Sequence, residues 1–236
     1  MPLVAMPPGT AKSRLGAALS RWRFAAVVGP LLLAGCTSGG PSPLGSALQE
    51  GLIDGGPPAE RAEAIPYASL QLDAGDRRGL VVMGAQAGDT TLWPTGNQGL
   101  VTLYREGLQA TAGLERDLLD TRYRPAEGGE AQAGYVPWRE AEPGTFYLSR
   151  SWQTPDGGVA RQSAQGRLAC GAPEPRELLL ASLALQRCEQ RLTWDDGRET
   201  TATLWRESDT RRLWAVAETP WPGGPLIEWE VVRPWW

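Results

Sequence analysis

Residues 227–232 read IEWEVV. Ile227, Trp229 and Val231 fall on one side of an extended chain, and Glu228 and Glu230 fall on the other. A period of two with apolar and charged residues alternating is the mark of a strand with one buried face. Working upstream, the same texture recurs over residues 213–218, 201–206, 185–194, 178–182, 159–168 and 146–153. Asp156-Gly157 and Asp195-Asp196-Gly197 separate some of these runs, and Asp and Gly tolerate the positive φ of tight hairpin turns. Residues 178–191 carry leucines that could also line a helix. Gly171 and Pro173 ahead of them and an Asp-Gly turn behind favour strands. Further upstream, residues 68–72, 80–86, 90–93 and 100–105 form a first set, punctuated by Asp76, Gly88-Asp89 and Gly96-Asn97. Residues 113–142 read as loop, with one helical turn over 114–119. The expectation is an all-β single domain of mostly antiparallel strands, barrel- or sandwich-like, over residues 66–236.

The chain ahead of this domain has a different composition. Lys12, Arg14, Arg21 and Arg23 are followed by an apolar run at 24–33, broken by Gly29 and Pro30. A run of about ten residues is too short to cross a bilayer, which needs about twenty. The layout is that of an export signal over residues 1–35. Leu33-Ala34-Gly35-Cys36 resembles the bacterial lipobox, whose cysteine is acylated after the signal is cut away. Several acyl chains give stable anchoring, because each buried methylene contributes about 0.8 kcal/mol. Thr37 stands where an aspartate would signal inner-membrane retention, so the expected location is the outer membrane, with the domain facing the periplasm. Residues 36–65 are rich in Gly, Pro, Ser and Ala and read as a tether, in which Leu44, Leu48 and Leu52 allow a short helix.

Composition excludes much chemistry. The chain has no histidine, and Lys12 is its only lysine. Ser-His-Asp and Cys-His arrangements, His-ligated zinc, Ser-Lys dyads and Schiff-base catalysis therefore have no residues to use. No phosphate loop or calcium loop is present, and no cofactor is expected. Removing the four basic residues before Cys36 takes the net charge from −4 to −8, which disfavours nucleic acid as a partner. Cys170 and Cys188 form an even pair that an oxidising compartment would join as a disulfide, the alternative being two buried free thiols.

Tryptophan is over-represented, with eleven against two phenylalanines. Exposed indoles grip sugars by stacking on the flat face of a pyranose, whereas buried ones take the core roles of phenylalanine. Trp229 belongs to the core by its strand face. Trp205, alternating with Thr201 and Thr203, and Trp214 are surface candidates for ligand binding. Trp93, Trp152 and Trp221 remain open between the two roles, and Trp235-Trp236 could pack the last strand or meet a membrane or partner. Hydrolysis of a glycoside needs two carboxylates with opposite protonation. Asp195/Asp196, Glu115/Asp117 and Glu228/Glu230 are the available pairs. Turn and solvent-face positions make a structural role the better reading for each, so no catalytic or metal-binding residue is assigned. Arg211-Arg212 reads as a solvated turn.

Two long passages resemble the YjbF/GfcB family of bacterial lipoproteins, associated with group 4 capsule. One runs from "IPYASLQLDAGDRRGLVVMGAQAGDTTLWPTGNQGL" (65–100) on through Leu114, and the other is "TATLWRESDTRRLWAVAETPWPGGPLIEWEVVRP" (201–234). The lipobox is the third point of likeness. The resemblance implies an outer-membrane lipoprotein with a β-rich periplasmic domain and no enzymatic activity. It would act as an accessory in assembly or export of an exopolysaccharide or capsule, with polysaccharide or export proteins as partners. The alternatives are a structural envelope lipoprotein that binds only proteins, and a carboxylate-pair carbohydrate hydrolase.

Overall fold

In the computed structural model, the described residues are 58–236 except Asp76, Asn97 and residues 127–133. Cys36, the export signal and most of the tether lie outside them. Thirteen described strands form two antiparallel sheets, and the sheets do not close into a barrel. The large sheet contains β1 (Ser69–Ala74), β2 (Arg77–Val82), β7 (Leu118–Pro125), β8 (Thr145–Gln153) and β9 (Val159–Glu177). It is completed by β10 (Ser182–Trp194), β11 (Glu199–Arg206), β12 (Leu213–Glu218) and β13 (Ile227–Arg233). Its order is β2-β1-β13-β12-β11-β10-β9-β8-β7. The small sheet runs β3 (Ala85–Ala87), β4 (Thr90–Pro94), β5 (Leu100–Tyr104) and β6 (Gly107–Ala112) in chain order.

The chain changes sheet twice, and each crossing has a local cause. Residues 80–86 read as one strand in the sequence but divide into β2 and β3. Gly84 sits between them, its N–H donating to the Leu92 carbonyl at 2.8 Å. A Cβ there would lie 2.9 Å from the Pro94 ring. The second crossing follows β6, where the sequence suggested a helical turn. Instead the Asp117 carboxylate accepts from the backbone N–H of Gly113 (2.9 Å) and Leu114 (3.1 Å) and from the Thr111 hydroxyl (3.0 Å), folding a corner that launches β7. Both β6 and β7 escaped the sequence reading, because β6 alternates weakly and β7 carries charge on its open face. A short helix α1 (Pro58–Ala64) lies within the stretch read as tether. Its Ala62 is buried, and Arg233 donates to the Glu63 carbonyl at 3.0 Å.

The inner faces of both sheets contribute to one apolar cluster. Ile227, Trp229 and Val231 are buried, as the alternation requires, and they pack with Leu70 and Leu72 of the neighbouring strand. Tryptophan dominates this interior. Trp152 stacks on Trp221 at 5.6 Å and meets Trp194 edge-on at 5.9 Å. A second chain of rings runs from Trp93 on β4 through Trp235 and Trp236 to Trp214 on β12, with successive centroids 4.9, 4.5 and 5.4 Å apart. The two C-terminal indoles thereby join the sheets. Arg212 lies over the Trp236 ring.

β9 and β10 form a hairpin much longer than their neighbours. Cys170 and Cys188 face one another across it and are disulfide-bonded. Immediately beyond, Gly171 and Ala172 oppose the single residue Arg187, a bulge that bends the ribbon. The sequence placed a strand at 178–182, but residues 178–181 are the tip and Ser182 opens β10, with Leu178 N–H donating to the Ala181 carbonyl at 2.8 Å. The tip returns to the outer face of the sheet. Leu179 N–H donates to Glu230 at 2.9 Å, and the Arg176 guanidinium covers the Trp205 ring at 3.8 Å. Pro173 and Pro175 are tolerated because β8 does not extend this far and leaves β9 an edge there.

Candidate functional site

The open feature of the fold is a groove of about 650 Å3 on the outer face of β8–β11. Strand register composes its floor in cross-strand rows. One row reads Thr145, Arg167, Arg191, Thr201 across the four strands. Beside it lies Tyr147, Gln165, Thr193, Glu199. On the other side Ala169, Glu189 and Thr203 follow. A hollow of about 520 Å3 at the base of the bent hairpin shares Ala169 and Glu189 with the groove. Gly166 holds the floor at one point, because a Cβ there would meet the Phe146 ring at 2.2 Å. Besides small residues, the lining is hydroxyl, amide and guanidinium with one carboxylate, Glu189, the chemistry of hydrogen bonding to a hydroxylated ligand.

The carboxylates in and beside the groove are engaged. Glu189 pairs with Arg187 at 2.8 Å, and Glu199 receives Arg191 at 3.4 Å. At the adjoining turn Asp195 accepts from Ser163 N–H at 3.1 Å. Asp196 is held down to about 2 by hydrogen bonds from the Arg198 side chain and backbone. Of the other pairs considered for hydrolysis, Asp117 folds the corner described above and Glu230 anchors the hairpin tip. Each accepts a structural hydrogen bond, Asp117 locally and Glu230 from a residue far off in the chain. Among the described residues no three acidic or cysteine side chains converge to hold a metal ion.

The tryptophans selected from the sequence do not gather in the groove. Trp93, Trp152, Trp214 and Trp221 are all within the core, Trp93 completely, with its indole N–H donating to Thr91 at 2.8 Å. Their faces are taken by other rings, so they are not open to a sugar. Trp205 is half-buried on the outer face, with Arg176 over it. The indoles fill the volume between two sheets in a chain that has little phenylalanine to do so.

A polar network inside the core escaped the sequence reading. The Arg150 side chain is fully buried on β8, pairs with Glu218 at 2.7 Å and donates to Thr121 (3.2 Å) and to the Pro220 carbonyl (2.8 Å). Burial alone would lower its pKa, but the Glu218 charge prevails and raises it. Burial also pushes the nearby Tyr123 hydroxyl up. Glu218 and Tyr123 line a cavity of about 10 Å3, with Gln190 beside them. Arg206 is a second buried cation, donating to the carbonyls of Trp138 (2.6 Å) and Glu140 (2.8 Å) and so fixing the segment before β8. Arg105 and Glu106, both at positive φ, make the two-residue turn between β5 and β6. Glu106 is paired with Arg139, although burial raises its pKa.

These features define an all-β domain of two antiparallel sheets with an open polar groove on the outer face of the larger. The same fold occurs in the crystal structure of the hypothetical lipoprotein YmcC from Escherichia coli (K12). That structure aligns at a TM-score of 0.65 and 16% identity, over 82% of this chain and 96% of the other. No family model and no curated protein matches the sequence.

Proposed function

We propose that this chain is an envelope lipoprotein, anchored through acylated Cys36 in the outer membrane. It serves there as a non-enzymatic accessory in the assembly or export of an exopolysaccharide or capsule. The observation that carries the reading is the groove, which is open and lined by hydroxyl, amide and guanidinium groups with the single carboxylate Glu189. A cleft built for hydrolysis would instead present two converging carboxylates, and here the carboxylates are spent on pairing and turns. The shared fold with a hypothetical lipoprotein supports the envelope setting, as does the lipobox. Among the described residues no helix is long and apolar enough to cross a membrane.

The test is genetic and chemical together. Deleting the gene in the native host should reduce secreted polymer several-fold. Wild-type chain should restore it, whereas Cys36→Ser, no longer sedimenting with membranes, should not. Unchanged polymer in the deletion strain would refute the role in export, and membrane association of the Cys36→Ser variant would refute the anchor.

A further inference from the structure

We propose that the groove on β8–β11 is a binding site for an acidic oligosaccharide segment, whose carboxylates are received by Arg167 and Arg191. The inference rests on the polysaccharide reading above and adds the charge of the polymer and the residues that select it.

The argument begins with the register. Arg167 on β9 and Arg191 on β10 are direct cross-strand partners on the same exposed face. Directly opposed residues have Cβ atoms about 4.5–5.5 Å apart, and like charges so placed destabilise a sheet. Several arginines of the large sheet are matched with acids, Arg78 with Asp73, Arg122 with Asp120 and Arg187 with Glu189, while Arg161 on β9 shares with Arg167 the lack of an acidic partner among the described residues. The Arg167 side chain has no hydrogen bond or ion pair among the described residues. Arg191 has only the 3.4 Å approach to Glu199, on the side away from Arg167 in the strand order. The chain carries more acids than bases, 27 against 23, yet none is spent between these two cations. An opposed pair of cations with no acid between them, on the floor of an open groove, is a local conflict of the kind that marks a functional site.

The neighbours specify what would relieve it. Thr145 and Thr201 flank the arginines in their own row, with Gln165 and Thr193 in the next. A guanidinium fork matches a carboxylate bidentately, while hydroxyl and amide groups pair with sugar hydroxyls. The row crosses four strands, a span of roughly 14 Å at the usual strand spacing. That accommodates a stretch of chain bearing spaced carboxylates. The wide mouth suits a polymer that passes through without ends, and charge complementarity selects an acidic one.

The experiment uses the full-length chain in detergent and titrates it calorimetrically with oligogalacturonides and with neutral malto-oligosaccharides of equal length. The expected result is that the acidic oligomer binds about tenfold tighter at low salt. That preference should shrink as salt rises. Replacing the pair in Arg167→Gln/Arg191→Gln should remove the preference, and the melting temperature should hold or rise because a repulsion has gone. Equal binding of the two oligomers, or an unchanged preference in the double variant, would overturn the charge selectivity and leave sugar binding intact. Binding of neither oligomer would overturn the inference together with direct sugar contact. A fall in the variant's melting temperature would assign the arginines to the fold and overturn it as well.

Discussion

Single residues inside this core carry both its packing and its polarity. Arg150 and Glu218 are buried together, and their hydrogen bonds to Thr121 and Pro220 compensate for the water they lose. A buried pair of this kind contributes little beyond well-packed apolar residues, but removing one partner leaves a charge stranded. Glu218→Gln should therefore cost about 3–5 kcal/mol in chemical denaturation. Arg150→Met/Glu218→Leu should cost much less, and equal losses in the two variants would contradict this account. The sequence reading missed this site, although the alternation contains it. Phe146, Leu148, Arg150 and Trp152 share a strand face, as do Trp214, Val216 and Glu218, so the charged members had to face inward. That the two charges meet each other was not legible, because β8 and β12 are far apart in the chain.

At the level of elements, the β9–β10 hairpin is two structures in one. Its lower half is an integral part of the large sheet, and its upper half is an arm bent at a bulge and tied at its base by Cys170–Cys188. Closing a loop with a sequence separation of 18 is worth about 3 kcal/mol on the chain-entropy model. Cys170→Ser/Cys188→Ser should lower stability by about that amount. Hydrogen exchange should accelerate first in residues 173–186, while 159–168 stay protected between β8 and β10. Uniform acceleration along the hairpin would show that the arm and the sheet open as one unit. The pairing of the cysteines was expected from their even number and from reading residues 1–35 as an export signal, with two free thiols as the alternative. The bend was not, since it depends on where Leu179 and Arg176 find Glu230 and Trp205 on strands that follow them in the chain.

Across the whole molecule, two sheets are held together by indoles. Trp235 touches Trp93 of the small sheet, and Trp236 touches Trp214 of the large one. Trp235 is only partly buried, so Trp235→Ala should cost about 2–3 kcal/mol, somewhat below the range for a fully buried tryptophan. The loss should appear as a lower melting temperature with weakened near-ultraviolet dichroism and intact far-ultraviolet signal at low temperature. A silent variant would mean that the sheets need no C-terminal bridge. The sequence by itself determined the all-β class, most strand positions and the buried face of β13, because alternation is local and each residue reports its own side. It also determined which catalytic chemistries lack residues. Only the tertiary structure decided that there are two sheets and no barrel, that most of the selected tryptophans lie inside, and that Arg167 stands opposite Arg191. Those outcomes depend on strand register and on contacts between distant segments, which alternation along a single strand does not encode.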